Sequence, residues 1–464
     1  MTTLGSSFRA RAWDEAFEDD GAPRAHYGEA LAALEHAGPA GFARDVTAGV
    51  ERDDITHGEG DDEHHYLVDA VPRVLTAAEW EKLAAAVAQR VRALDLFVAD
   101  VYGARTSIEA GVVPAEVIEG SSFWEPDMLE VPAPVVRIAV AGPDVVRDED
   151  GVFVVLEDNV RTPTLMGYAL AARRLVGDRL DVAQAPRPIA EPLAELALWA
   201  LRGAAPELED PALALLSDGR KSGVRWELGM LGAHLGIPVV EPHELRLAGD
   251  RLVRREGGEP VDVLWRRTSA ECARWEDGRP TELGELLLPA LRAGTLRMVN
   301  AFGTGVADDK RTYPYVEELV RFFLGEEPLI RSVPTWDATD PGQRERILER
   351  LPELVVKPRG GSGGFGVVIG PVATPEQLGE ARRAIEEEPE GFLVQTAIPF
   401  SHHPTFLDGE LRPRHVDVRP FAFSDGSDVR LLPGGISRWP VREDALVTNS
   451  IQGGGAKDVW VLPA

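Results

Sequence analysis

Cysteine is nearly absent from this sequence. Cys272 stands alone among 464 residues, which excludes an intramolecular disulfide and suits a reducing compartment. Lysine is almost as scarce, with only Lys82, Lys221, Lys310, Lys357 and Lys457, so arginine carries nearly all the positive charge. That charge is itself in deficit: 77 acidic against 49 basic residues leave a formal charge of −28. A surface of that sign repels nucleic acid and anionic membranes and disfavours both as partners. There is no long uncharged apolar segment of the kind that spans a bilayer, and no leader-like apolar run behind a basic amino-terminal stretch. The expected location is the cytoplasm. Histidine pairs occur at His64-His65 and His402-His403, but no helical metal spacing such as H-E-x-x-H is present.

What remains describes a large enzyme-sized chain. Its length can bury a substantial core and suggests two to four structural units. Residues 1–65 read as loosely organised, with acid-rich patches. Thr76 and Glu79 form a capping box, and Trp80, Leu83, Val87, Val91 and Leu94 follow at helical spacing, predicting a buried helix. A helix is expected near residues 168–175. Residues 213–216, 237–240 and 261–265 read as strands around a helix over 226–235, and this alternation predicts an α/β unit with a mostly parallel sheet. Thr374-Pro-Glu-Gln377 predicts another capped helix.

The most informative stretch is Leu354-Val-Val-Lys-Pro-Arg-Gly-Gly-Ser-Gly-Gly-Phe-Gly-Val-Val-Ile369. It reads as a strand ending in Lys357, a loop holding Gly360, Gly361, Ser362, Gly363, Gly364 and Gly366, and a second strand. Loops so poor in Cβ atoms let backbone N–H groups close on a phosphate. The same letters match the dinucleotide fingerprint and the hydrolase nucleophile elbow, but both need a helix next, whereas Val367-Val-Ile369 is β-branched. In a Walker A loop the lysine follows the glycines, and here it precedes them. The same glycines without the lysine describe only a surface hairpin.

A second constellation gives this one meaning. Phe153-Val-Val-Leu-Glu-Asp-Asn159 alternates as a strand and puts Glu157 and Asn159 on one face. The preceding strand, ending near Arg147, joins it through the turn-rich Asp148-Glu-Asp-Gly151, which places Asp144 diagonal to Glu157. Carboxylates with an amide oxygen suit Mg²⁺, which keeps waters and phosphates as its other ligands. Asp144, Glu157 and Asn159 are therefore the candidate metal ligands, and ATP with Mg²⁺ the candidate cofactor pair. A solvated acidic hairpin is the plain alternative.

These residues together resemble the circularly permuted ATP-grasp proteins, whose metal strand precedes the lysine and glycine loop. The resemblance runs through Asp69-Ala-Val-Pro-Arg73, Gln89-Arg-Val-Arg-Ala-Leu-Asp95, Val101-Tyr-Gly103, Asp144-Val-Val-Arg147 and Leu156-Glu-Asp-Asn-Val-Arg161. It continues through Asn300-Ala-Phe-Gly303 with Asp309-Lys310, Asp417-Val-Arg-Pro-Phe421, Gly434-Gly-Ile-Ser-Arg438 and Asn449-Ser-Ile-Gln-Gly-Gly-Gly-Ala-Lys-Asp458. Thr162-Pro-Thr-Leu-Met-Gly167 departs from the family's shorter loop at a place expected to border the acceptor. The resemblance implies an α/β (α+β) fold with a helical region at 1–120 and a metal-binding part at 121–185. A pre-ATP-grasp α/β domain follows at 186–300 and a nucleotide-binding part at 301–464.

It also implies that Lys310 and Lys357 bind phosphate oxygens and that the backbone at Gln395, Thr396 and Ala397 meets the adenine. The implied reaction is ligation of a carboxylate to an amine through an acyl phosphate, with Arg161, Arg419, Arg438 and Lys457 as candidate contacts to the transferring group. Arg419 reads equally as a structural partner of Asp417. The substrates are a small-molecule or peptide acid and amine, with a protein partner left open. A phosphotransferase stopping at a phosphorylated product, or a silent nucleotide-binding scaffold, are the alternative readings.

Overall fold

Among the described residues, four sheets of three or more strands, three two-stranded ribbons and the helices between them build the fold. The computed structural model describes residues 13–268, 273–275, 278–360, 366–442 and 454–464. Cys272 and the central glycines of the 360–366 loop lie outside the described residues.

The capping box at Thr76 opens the helix Ala77–Val101, with the Thr76 hydroxyl accepting from Glu79 N–H and the Glu79 carboxylate accepting from Thr76 N–H. Such a cap is worth about 1 kcal/mol. Its apolar stripe, Trp80, Leu83, Val87, Val91, Leu94 and Phe97, is buried as the periodicity predicts. Arg90 shares that stripe and is also buried. Residues 28–52 correct the expectation of loose organisation: two helices, Gly28–Ala37 and Pro39–Arg52, pack on each other. Their small-residue, weakly patterned faces obscure them in the sequence, yet Leu31, Leu34, Phe42 and Val46 are all buried.

A five-stranded sheet runs in the order Arg73–Leu75, Gly455–Val461, Val429–Trp439, Arg419–Ser424, Val140–Ala141. It draws on both ends of the described chain. Its first pair is parallel and the others antiparallel. The hairpin Asp144–Arg147 with Phe153–Glu157 gains a third strand from Arg331–Ser332.

The predicted parallel sheet is present, in the order Arg297–Val299, Val263–Arg267, Leu213–Ser217, Val239–Val240. The helix Arg225–Leu235 connects Leu213–Ser217 to Val239–Val240. A fourth sheet, Thr335–Trp336, Phe392–Thr396, Leu354–Pro358 and Val368–Ile369, has its own small core around Ile347, Leu351, Val356, Ile385 and Val394. The helix Pro375–Glu387 covering it starts at the predicted Thr374 capping box. Among the described residues no helix is long and apolar enough to cross a membrane.

Candidate active site

The hairpin that carries the candidate metal ligands is tighter than the sequence suggests. Val145 pairs with Val155, but Asp144 pairs with Glu157, so Leu156 forms a bulge. The extra residue brings the two acids directly opposite one another instead of diagonal. Asp158 is held away from them by Arg90, whose Nε and Nη2 each donate at 2.7 Å to its two carboxylate oxygens. Asn159 is fixed through its carbonyl, which accepts from Gly142 N–H at 2.9 Å. Its side-chain nitrogen is buried without a hydrogen-bond partner.

Lys357 arrives from the strand Leu354–Pro358, which pairs antiparallel with Val368–Ile369 as expected for a glycine-tipped hairpin. With Lys310 it lines a narrow cleft whose walls include Glu157, Asp308, Tyr313 and Leu393. Lys310 Nζ lies 3.5 Å from a Glu157 carboxylate oxygen. Burial pushes the Lys357 ammonium below its usual value; Glu157 opposes this and the Lys310 charge adds to it. The base of the glycine loop is anchored by Arg359, which donates from Nε and Nη2 to Asp309 at 2.8–3.0 Å and from Nη2 to Val117 C=O at 2.8 Å. Gly366 adopts φ +73°, and a Cβ there would meet the Pro358 ring at 2.8 Å. Gly360 is open to its surroundings, while Gly361, Ser362, Gly363 and Gly364 lie outside the described residues.

The strand carrying Gln395 and Thr396 sits between two neighbours in its sheet. Thr396 N–H already donates to Pro334 C=O and Ala397 N–H to Glu353 C=O, and the buried Gln395 amide reaches Thr335. These two N–H groups are therefore engaged by protein.

Three arginines divide differently from the expectation. Arg419 grips Asp144 through Nε at 2.8 Å and Nη2 at 3.0 Å. Arg438 Nη2 reaches the same carboxylate at 2.7 Å and also binds Asp417. Burial alone raises the Asp144 carboxyl, but Arg419 and Arg438 override it and hold it well below the usual range. The Arg438 guanidinium is raised in turn, Asp144 and Asp417 outweighing its burial. The suggested Arg419–Asp417 pair is thus replaced by an Asp144-centred hub. Arg161 pairs with Asp308 and lies over the Phe123 ring at 4.1 Å. A Cβ at Gly305 would stand 2.8 Å from Arg161 Cδ and 2.5 Å from Phe123 Cβ, so this approach requires glycine.

Lys457 does not join them. It is paired with Ser437, not Arg438, across the strands, so alternation sends it to the opposite face. There it is fully buried, bonded to Asp69 and to Pro404 C=O. Asn300, whose motif is expected at the nucleotide site, has a scaffold role: its amide ties Ala139 and Val140 to Val160.

The oxygen donors fit a hard cation in part. Among the described residues no three His, Cys, Asp or Glu side chains converge as a metal site. Glu157, whose side chain is 38% exposed, and the Asn159 amide oxygen are the donors of suitable type. Asp144 is adjacent but committed to its arginines.

The family model for circularly permuted ATP-grasp type 2 matches residues 72–439. The chain belongs to this family. A putative glutamate–cysteine ligase 2-2 of Frankia casuarinae is 37% identical over 467 residues, covering 98% of this chain and 54% of its own length. A putative glutamate–cysteine ligase 2-3 of Frankia alni is 38% identical, with coverage of 98% and 54%. The ATP-grasp chain described here thus spans about half the length of these two relatives. An uncharacterized protein of Mycobacterium tuberculosis is 36% identical, with coverage of 98% and 85%. Among solved structures, a glutathione synthetase-like effector (GSS30) of Globodera pallida in its apo form superimposes with a TM-score of 0.58 at 10% identity. The match covers 90% of this chain and 96% of that one, and shows a shared fold.

Arg90 and Arg359 are site-organising residues that motif reading missed. Arg90 carries a signal, a charge three residues after Val87 and four before Leu94 on an apolar helix face.

Proposed function

We propose that the chain is an ATP-dependent ligase that joins a carboxylate to an amine, with ADP and phosphate as products. The observation carrying this reading is the convergence of Lys310, Lys357 and Glu157 on one cleft, from segments on either side of the permutation. The names of the Frankia relatives, ligases of glutamate with cysteine, agree with an acid and an amine as the two substrates.

In this reading Lys310 and Lys357 hold phosphate oxygens of ATP, with residues 360–366 over them and the 395–397 segment beside the base. Glu157 and Asn159, with Asp144 next to them, hold Mg²⁺, which when bound neutralises phosphate charge. A carboxylate oxygen of the acid attacks the γ-phosphorus, and the bond to the β–γ bridging oxygen breaks to leave ADP. The amine nitrogen then attacks the acyl carbon, phosphate departs and the nitrogen loses a proton. Arg161, Arg419 and Arg438 offset the negative charge on the transferring oxygens, which accounts for catalysis without a nucleophilic side chain. Residues 1–120, 121–185, 186–300 and 301–464 serve respectively as helical support, metal part, acceptor-side domain and nucleotide part. We assign the reaction to the cytoplasm on the strength of the single cysteine.

The test is calorimetric titration of Mg-ATP into wild type, Lys357→Ala and Glu157→Ala, followed by ADP release assays with acid and amine panels. Magnesium-dependent binding lost in both folded variants, and ADP release that needs both substrates, supports the ligase. ADP release with an acceptor alone and no amine points to the phosphotransferase. Absence of nucleotide binding by folded wild type refutes both.

A further inference from the structure

The two lysines that line the cleft rest on different apolar cores. Lys357 stands on the sheet packed around Ile347, Leu351, Val356, Ile385 and Val394. Lys310 follows Val306 and Ala307, which are buried in a separate core with Tyr313, Val117 and Ile118. Two ammonium groups brought to one cleft also repel each other. Their convergence therefore calls for a tie between the two bodies of packing.

Asp309 and Arg359 form such a tie. The ladder of the Lys357 strand continues for one more bond, from Arg359 N–H to Gly391 C=O at 2.8 Å. Lys357 and Arg359 are thus two residues apart on one face. Arg359 donates Nε to both Asp309 oxygens, at 2.9 and 3.0 Å, and Nη2 to one of them at 2.8 Å. The same carboxylate accepts from Arg311 N–H at 2.9 Å, which closes a turn around Lys310. It accepts the Ser121 hydroxyl at 2.5 Å as well, while Arg359 Nη2 reaches Val117 C=O at 2.8 Å. One carboxylate, 1% exposed, fixes the backbone on both sides of Lys310 and grips the residue two beyond Lys357. Asp308 holds the turn from another direction, accepting from Val160 N–H at 2.7 Å and pairing with Arg161. Arg311 adds a longer contact across the boundary, Nη2 to Thr339 Oγ1 at 3.3 Å.

We propose that the Asp309–Arg359 ion pair sets the separation of Lys310 and Lys357 before a nucleotide arrives. Both are positioning residues and act through the lysines, so that the phosphates meet charges already in place. This rests on the reading above in one respect, that ATP is the ligand the lysines hold.

The deciding variant is Asp309→Asn, because charge and positioning predict opposite signs. Removing a negative charge beside an anion site strengthens anion binding through space, whereas loosening the lysines weakens it. Calorimetric titration of Mg-ATP compares wild type, Asp309→Asn, Arg359→Lys and the double variant Asp309→Asn/Arg359→Met, with urea denaturation reporting the folding of each. The double variant removes both charges together and keeps the test open if a single variant unfolds. The expected result is affinity about tenfold weaker in every folded variant, the scale of one charged hydrogen bond misplaced. Arg359→Lys should show the loss too, since lysine keeps the charge but not the two-pronged grip. In a Lys310→Ala background, Asp309→Asn should weaken binding by about threefold at most, because the lysine it positions is gone. Unchanged binding by Asp309→Asn overturns the proposal. Tighter binding overturns it as well, by making the released Arg359 a phosphate contact in its own right. So does a full tenfold loss in the Lys310→Ala background, which assigns the effect to another group. Wild type that binds no Mg-ATP removes the ATP reading itself, whereas binding by wild type with indifferent variants removes only the positioning role, so the two failures are distinguishable.

Discussion

Asp144→Asn keeps the side-chain shape but removes the charge at the centre of the arginine hub. Arg438 retains Asp417, whereas Arg419 loses its only ion-pair partner among the described residues. Both guanidiniums are under 10% exposed, at 7% and 9%. Stranding a buried cation costs about 3–5 kcal/mol, far above the roughly 0–1 kcal/mol of a surface pair. Adding Arg419→Met removes the stranded charge, so the double variant should be more stable than additivity predicts by about 2 kcal/mol. The pH dependence carries a definite sign. The folded carboxyl is depressed below its ordinary 3.8, so its contribution is complete above that pH and is lost as pH falls through the folded value. Wild type and Asp144→Asn should differ fully at pH 7 and converge in strong acid. Urea denaturation of wild type, both single variants and the double variant supplies the cycle. A stability of Asp144→Asn within about 1 kcal/mol of wild type at pH 7, with no coupling to Arg419, refutes the hub. Calorimetry with Mg-ATP on the folded variant separately reads any part Asp144 has in holding metal.

Burial raises the Glu125 carboxyl to about 7, against a partial lowering by the Ala273 N–H. Folded protein therefore keeps a proton that unfolded chain releases above 4.5, and stability falls as pH rises through this window. Glu125→Gln should be the more stable by about 3 kcal/mol at pH 8 and gain little at pH 4, measured by urea unfolding; parallel pH profiles count against it. Lys457→Met strands Asp69 and should cost about 3–5 kcal/mol, while nucleotide affinity of the folded variant stays unchanged in calorimetry. The depressed Lys357 ammonium predicts that Mg-ATP affinity falls at a pH below its ordinary 10.5. Lys357→Arg should abolish that alkaline step, and a step persisting in the arginine variant assigns it to another group.

Local chemistry was readable from the sequence, and long-range pairing was not. The Thr76 and Thr374 capping boxes, the strand–glycine–strand hairpin and the alternation of the parallel sheet each depend on neighbouring residues, and all are present. The Leu156 bulge depends on the register between two strands, which spacing alone leaves open by a residue or two. Arg419 illustrates a harder limit: its true partner is 275 residues away, while Asp417 lies close in sequence and suggested itself first. The Lys457 expectation failed on facing. Its glycine-rich surroundings look like a phosphate loop until pairing with Ser437 fixes which side of the sheet it occupies. The strand read over 261–265 runs on to Arg267, and nothing local in the sequence shows that Arg266 and Arg267 are buried.

The parallel pairing of Arg73–Leu75 with Gly455–Val461 sets a timetable for synthesis. The partner strand emerges from the ribosome about 380 residues later, a wait of roughly 20–80 s at about 5–20 residues per second. Throughout that interval the apolar stripe of Ala77–Val101 lacks the strand Val429–Trp439 against which it finally packs. Nascent chains of this protein should therefore expose that stripe for the whole interval, and folding yield should respond to translation speed. The late strand is also flanked on both sides in the finished sheet, so trimming it divides the sheet at its interior instead of shortening an edge.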